Sequence, residues 1–196
     1  MEEILSTLIN GLSLGGIYAM IALGYTMVYG IAKMLNFAHG DIIMVGGYMI
    51  YVFMATGNPL LAILIACIGC VILGVCIEKV AYKPLRGASP LAVLITAIGV
   101  SYFLQNAAQL IFGSAPKNFK SIVTTAPISL FDGQITITGE VIVTIAVSVA
   151  IMIGLHLFTT KTKMGKAMRA VSEDRAAAQL MGINVNQTIS MTFAIG

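Results

Sequence analysis

The sequence predicts an all-α fold, a polytopic transmembrane helix bundle of five complete spans and a truncated sixth, with one short helix on the basic side. Composition is the first reason: 58% of the 196 residues are hydrophobic and 10% are charged, where soluble domains carry about a quarter charged. The second is the spacing of the charges. Residues 4–32, 42–77, 87–116, 141–160 and 176–196 carry none, and each run reaches the roughly twenty residues that cross a bilayer. The third is the distribution of Lys and Arg, which gather in alternate connecting segments and so on one side of a multi-pass chain.

The first run ends in Asn36-Phe37-Ala38-His39-Gly40-Asp41, a polar, glycine-containing break. Hydrocarbon leaves no water to pair backbone groups, so such a break is tolerated only where protein or a watery cavity covers it. Intramembrane polar residues of this kind mark a pathway. His39 is placed either against a passing solute or against backbone groups of the break, and Asp41 at the membrane boundary as the cap of the next helix. The start, Met1-Glu2-Glu3, is acidic, and the run behind it is longer than a signal h-region, so the first span is expected to stay. Within it, Gly11 and Gly15 have the spacing that lets helices approach closely. Tyr18, Tyr25 and Tyr29 read as aromatic packing or interface anchors, with a place facing a translocation path as the alternative.

The second run is too long for one span. Gly57-Asn58-Pro59 is a turn signal that divides it into antiparallel helices over 41–56 and 59–77. Cys67, Cys70 and Cys76 fall in the latter; a lone C-x-x-C without a second pair reads as packing rather than as metal or redox chemistry. In the fourth span Gln105 and Asn106 lie mid-membrane, lining a passage or bonding a neighbouring helix. The segment 113–140 holds Ile128-Ser129-Leu130-Phe131-Asp132-Gly133-Gln134-Ile135-Thr136-Ile137, where Asp-Gly between β-prone runs predicts a small hairpin. His156 closes the fifth span with no carboxylate or Cys at ligand spacing.

The segment 161–187 is polar. Ser172 is expected to cap a helix over 173–181 whose first turn carries Glu173 and Asp174, favourable at the positive dipole end, with Gly182 as its stop. Ala177, Leu180 and Met181 share one face at i, i+3, i+4 spacing. A helix this short is not stable alone and needs a docking surface. A sixth apolar segment from Thr188 to Gly196 is too short to cross roughly 30 Å of hydrocarbon, so the chain is expected to be truncated at its C-terminus.

With the N-terminus outside, Lys33, Lys79, Lys83, Arg86, Lys161, Lys163, Lys166, Arg169 and Arg175 fall on one side, nine of eleven basic residues, and Lys117 and Lys120 on the other. The positive-inside rule makes the first side cytoplasmic. The net charge of +3 thus reports topology, and no nucleic-acid partner is expected, since the basic residues flank spans without interleaved aromatics. Acids, bases and metal ligands are too few and scattered for an enzyme. No phosphate-binding Gly-rich loop ending in Lys-Ser or Lys-Thr occurs, so no cofactor is expected in this chain.

Several blocks together resemble a known family, the H-type permease subunits of bacterial ATP-driven (ABC) importers of branched-chain amino acids. They are the run from Gly15 through Tyr18, Gly24, Tyr25 and Tyr29 to Gly30; Asn36 to Asp41; Ile77-Glu78-Lys79-Val80-Ala81-Tyr82-Lys83-Pro84-Leu85-Arg86; Ile98-Gly99 with Phe103-Leu104-Gln105-Asn106; and Met164-Gly165 through Gly182-Ile183. The resemblance implies a multi-pass protein of the bacterial inner membrane that works with a second permease subunit, two cytoplasmic ATPase subunits that bind the ATP, and a periplasmic solute-binding protein. Asn36, His39, Asp41, Gln105 and Asn106 become the expected substrate pathway. The helix over 173–181 resembles the coupling helix that docks on the ATPase, with Arg169, Glu173, Asp174, Ala177, Leu180, Met181 and Gly182 as contact residues. Related importers carry Glu-Ala-Ala, three residues, then Gly there; this chain has the alanines and Gly182 without the leading Glu. Two alternatives stay open, a permease for urea or short-chain amides, which shares the Asn-x-Ala-His-Gly break, and a non-transporting permease fragment.

Overall fold

The computed structural model describes residues 2–118, 128–130 and 135–196. Two compact units are distinguished, Met1–Leu23 with Lys120–Thr162, and Gly24–Phe119 with Lys163–Gly196. In chain order the helices are α1 (Glu2–Ala32), α2 (His39–Phe53), α3 (Pro59–Ile77), α4 (Pro90–Phe112), α5 (Gly139–Lys161), α6 (Lys163–Glu173), α7 (Arg175–Leu180) and α8 (Val185–Ile195), with a strand pair β1 (Ile128–Leu130) and β2 (Ile135–Ile137) before α5.

In the first unit, the N-terminal part of α1 meets α5 where a side chain is missing: a Cβ on Gly16 would lie 3.1 Å from Ser148 Oγ. Ser148 is buried there. The expected hairpin forms, with β1 and β2 antiparallel and Ile128 opposite Ile137. Its Asp132-Gly133 turn lies outside the described residues. Gly11 and Gly15 have no neighbour within 4 Å of an added Cβ, so the described residues give that spaced pair no partner helix.

In the second unit α3 is the centre, packed against α2 and α8. Helix ends follow local chemistry. Gly57 turns the chain at φ 77°, Asn58 accepts a hydrogen bond from the Leu61 N–H at 3.3 Å, and Pro59, whose missing N–H costs nothing at the first position, starts α3. Ser89 and Pro90 repeat this at α4, with Ser89 Oγ accepting from the Ala92 N–H at 3.4 Å. Beyond Ile77 the α3 rod continues through a π turn, Glu78–Tyr82, and a 3-10 turn, Lys83–Leu85. π turns inside helices mark functional sites more often than chance.

The helical membrane bundle stands, while the count of five complete spans and a truncated sixth is not reproduced. Four segments among the described residues are long and apolar enough to cross: Ile4–Ala32, Pro59–Leu85, Pro90–Phe112 and Gly139–Lys161. The expected second span is α2, 15 residues followed by the 3-10 turn Met54–Thr56. The expected sixth is α8, which starts at Val185 rather than Thr188 because Asn184 caps it, accepting from the Gln187 N–H at 3.1 Å.

The polar segment 161–187 also differs from expectation, since it holds two helices rather than one. Residues 163–173 form α6, which buries Gly165, Met168 and Val171 on one face and leaves Lys163, Lys166 and Arg169 exposed. Ser172 therefore lies inside α6 and donates back to the Arg169 carbonyl at 2.7 Å. The cap of the following helix is Asp174, a carboxylate in the extended conformation that caps require.

Candidate functional site

The break between α1 and α2 is built from both ends. α1 stops because Lys33 turns left-handed at φ 51°, and Arg175, from the first turn of α7, donates to the carbonyls of Ile31 and Ala32. Those are among the orphan acceptors that any helix leaves at its C-terminus. Burial first, and the neighbouring Arg86 guanidinium second, lower the pKa of Arg175. Asn36 is buried and accepts from the Tyr82 hydroxyl at 3.0 Å, and the His39 N–H reaches back to the Asn36 carbonyl at 3.2 Å. The His39 ring stands edge-on to Tyr25, centroids 6.1 Å apart. Gly24 permits this, since a Cβ there would lie 3.0 Å from His39 Cε1.

Asp41 is not the cap of α2. Ala38 takes the N-cap position of α2 without a side-chain cap bond, and Asp41, in the first turn, is 7% exposed. One oxygen, Oδ1, accepts from Gln105 Nε2 at 3.0 Å; the other, Oδ2, is buried with no hydrogen-bond partner among the described residues. Seven residues further along each helix, Tyr48 stacks on Phe112 at 4.2 Å. α2 and α4 therefore run parallel, and the start of α2 lies level with Gln105, about 22 Å along α4 from Pro90 at 1.5 Å per residue. The break thus lies beside the later half of α4 rather than beside its start. A cavity of about 260 Å³ opens beside it, lined by Asn36, His39, Ile42, Cys70 and Phe193 among others.

The structure joins Asn36 and His39 at this cavity and Asp41 to Gln105. Asn106 is not part of either group: its Nδ2 donates to the Tyr102 carbonyl at 2.7 Å in its own helix. Cys70 packs here as expected, its thiol directed at the Ile42 carbonyl at 3.6 Å.

Below the break lies a network with no local trace in the sequence. Glu78, in the π turn, is fully buried. Arg86 donates to its Oε1 and to Asn186, and Ser190 Oγ donates to its Oε2 at 2.7 Å. A buried ion pair offsets its desolvation only when further hydrogen bonds satisfy it, and Ser190 and Asn186, one turn apart on α8, supply them. Tyr82, at the end of the same π turn, leans on Phe193 of α8 with ring centroids 5.3 Å apart. α8 is thereby tied both to the loop after α3 and, through Tyr82, to Asn36.

α8 follows directly on α7, the six-residue helix of the polar segment. Asp174 Oδ1 accepts from the Ala176 and Ala177 N–H groups at 2.8 and 3.1 Å. At the other end Gly182, at φ 83°, donates to Gln179 and Ile183 to Ala178, each at 3.0 Å, the paired bonds of a Schellman stop. Ala178 is buried, whereas Leu180 and Met181 are 88% and 82% exposed. Ala177, Glu173 and Arg169 are exposed as well. The face that periodicity assigns to docking is the face left uncovered.

Comparison with known proteins yields one family: its model, described as branched-chain amino acid transport system / permease component, matches residues 7–196. Among curated relatives, the high-affinity branched-chain amino acid transport system permease protein BraD of Pseudomonas aeruginosa is 42% identical over 98% of this chain. LivH of Salmonella typhimurium is 40% identical and LivH of Escherichia coli 39%, each over 98%. The chain spans 66% of the length of each of these relatives. No solved structure matches.

Proposed function

The chain belongs to the family of permease components of branched-chain amino acid transport systems, and on that premise we propose that it is a membrane-spanning subunit of an importer driven by separate ATPase subunits. The observation that carries this reading is α7: a six-residue helix fixed at both ends by caps, held by Ala178, with Leu180 and Met181 turned outward. An isolated helix of that length melts in water. One fixed in place with an apolar face uncovered is suited to a partner that moves it.

Movement of α7 has a physical route inward, because α8 follows it and is bonded to Glu78 and Arg86, and the π turn bearing Glu78 also carries Tyr82 to Asn36. The break at Asn36 and His39, with its cavity, is then the gated part of the passage, and α2 counts as the second membrane element although it starts beside the later half of α4. Unpaired Asp41 Oδ2 is suited to a passing ammonium group. Contacts in a passage must stay weak for the solute to leave, so selection falls mainly to a solute-binding protein outside. The branched-chain amino acids for which the relatives are named favour leucine, isoleucine and valine over urea. Cells lacking the chain should lose most uptake of radiolabelled leucine at micromolar concentration and regain it on re-expression. Intact leucine uptake with lost urea uptake would place the chain among urea or amide permeases instead.

The orientation belongs to the same proposal, with the N-terminus and residues 113–140 outside and residues 79–86 and 161–187 in the cytoplasm. In a background without native cysteine, Ser114→Cys should react with an impermeant maleimide in intact cells and Lys163→Cys only after permeabilisation. Labelling of both in intact cells overturns the topology.

A further inference from the structure

A second cavity, of about 550 Å³, is lined by Lys33, Arg86 and Arg175 together with the apolar or aromatic Tyr29, Leu91 and Leu94. It lies at the first turn of α4, the end that carries the basic loops and therefore, under the orientation above, the level of the cytoplasmic headgroups. Three cations converge there without an acidic side chain in the lining. Two are fixed in advance, Arg86 by Glu78 and Asn186 and Arg175 by the carbonyls at the end of α1. A guanidinium has five N–H donors, so each retains donors beyond those bonds. Arg86 and Arg175 are close enough for one to depress the pKa of the other, a like-charge juxtaposition that an anion between them relieves.

We propose that this cavity binds the phosphate of an anionic phospholipid headgroup from the cytoplasmic leaflet. The site needs a phosphate and an apolar body on one ligand: Tyr29 and Leu91, 48% and 63% exposed, flank the cations with surface that a soluble anion leaves in water. Basic residues at the membrane surface favour anionic lipid by about 1 kcal/mol each, which converts to about fivefold in affinity per cation. This inference rests on the membrane placement and orientation of the chain, not on its substrate or its ATPase.

The chain contains no tryptophan, so Tyr29→Trp provides a single reporter at the cavity. Purified protein carrying it, in bilayers mixing phosphatidylglycerol and phosphatidylcholine with either one dibrominated, should be quenched more strongly by the brominated anionic lipid at equal mole fraction. Adding Lys33→Gln, at an exposed side chain with no hydrogen bond or ion pair among the described residues, should cut the preference about fivefold; Arg175→Gln should cut it too, with circular dichroism reporting whether α1 and α7 persist. Equal quenching by both lipids, or a preference that Lys33→Gln leaves unchanged, overturns the proposal. Loss of the preference on adding millimolar inorganic phosphate at constant ionic strength assigns the site to a soluble anion and overturns the lipid assignment. Maleimide labelling of the orientation variants reads the membrane placement separately.

Discussion

Arg86→Ala should destabilise the protein more than any other single surface-loop substitution, by about 3–5 kcal/mol, against a total of roughly 5–15 kcal/mol for a folded domain. The reason is what it leaves behind. Glu78 is fully buried, and without Arg86 its carboxylate keeps only the Ser190 hydroxyl. A buried charge stripped of its partner costs far more than the pair was worth. Heating the detergent-solubilised protein and following monodisperse material by size exclusion reads the effect as an earlier loss. The pair Glu78→Met with Arg86→Met removes both charges and should recover most of the stability, so the coupling appears as strong non-additivity. An Arg86→Ala protein as heat-resistant as the parent would mean that the ion pair is not buried in the membrane-embedded protein.

Ala177→Arg is expected to abolish transport while leaving the fold intact, and the two halves of that statement have separate causes. Ala177 is exposed on α7, so the chain itself loses no packing, and exposed substitutions of this kind stay within about 0.5 kcal/mol. At the proposed contact with an ATPase the same change would overfill a groove and bury an unpaired cation, a loss of about 3 kcal/mol, or two decades in Kd. Co-purification of the ATPase and leucine-stimulated ATP hydrolysis should both fall away, while membrane yield and thermal stability match the parent. Normal ATPase association and transport by the Ala177→Arg protein would make α7 an ordinary connector.

Much of the bundle was legible in the sequence because membrane helices are specified by long local runs and their ends by short-range chemistry. The split at Gly57-Asn58-Pro59 falls where α2 and α3 separate, and Gly182 stops α7 as read. The errors arise where two local signals compete or where contacts are remote. Ser172 was a plausible cap, but Asp174 offers a stronger acceptor two residues later, and residues 163–173 could continue as helix because Met168 and Val171 find α8 to cover them. α6 is polar on three sides and shows no apolar run. Gln105 and Asn106 are neighbours in sequence, yet 100° of helical rotation sends one to Asp41 and the other to its own backbone. The Glu78 network had no chance of being read locally, since Ser190 lies 112 residues away and Asn186 lies 100 residues from Arg86. Nor did the residues around Asp41 indicate how far along α4 the break lies; that follows from the parallel register of α2 against α4.

The close seat of α8 on α3 also divides the glycines by whether a side chain can be added to them. A Cβ on Gly74 would sit 2.8 Å from the Phe193 carbonyl oxygen, and that obstacle is backbone, which cannot swing aside as a side chain can. Gly47, Gly99 and Gly154, also in helices, would meet nothing within 4 Å, and alanine at any of them gains about 1 kcal/mol of helix propensity. Alanine at those three therefore has little steric consequence among the described residues. Gly74 is a fixed point: any larger residue there displaces α8, and with it Asn186 and Ser190 from the loop they hold.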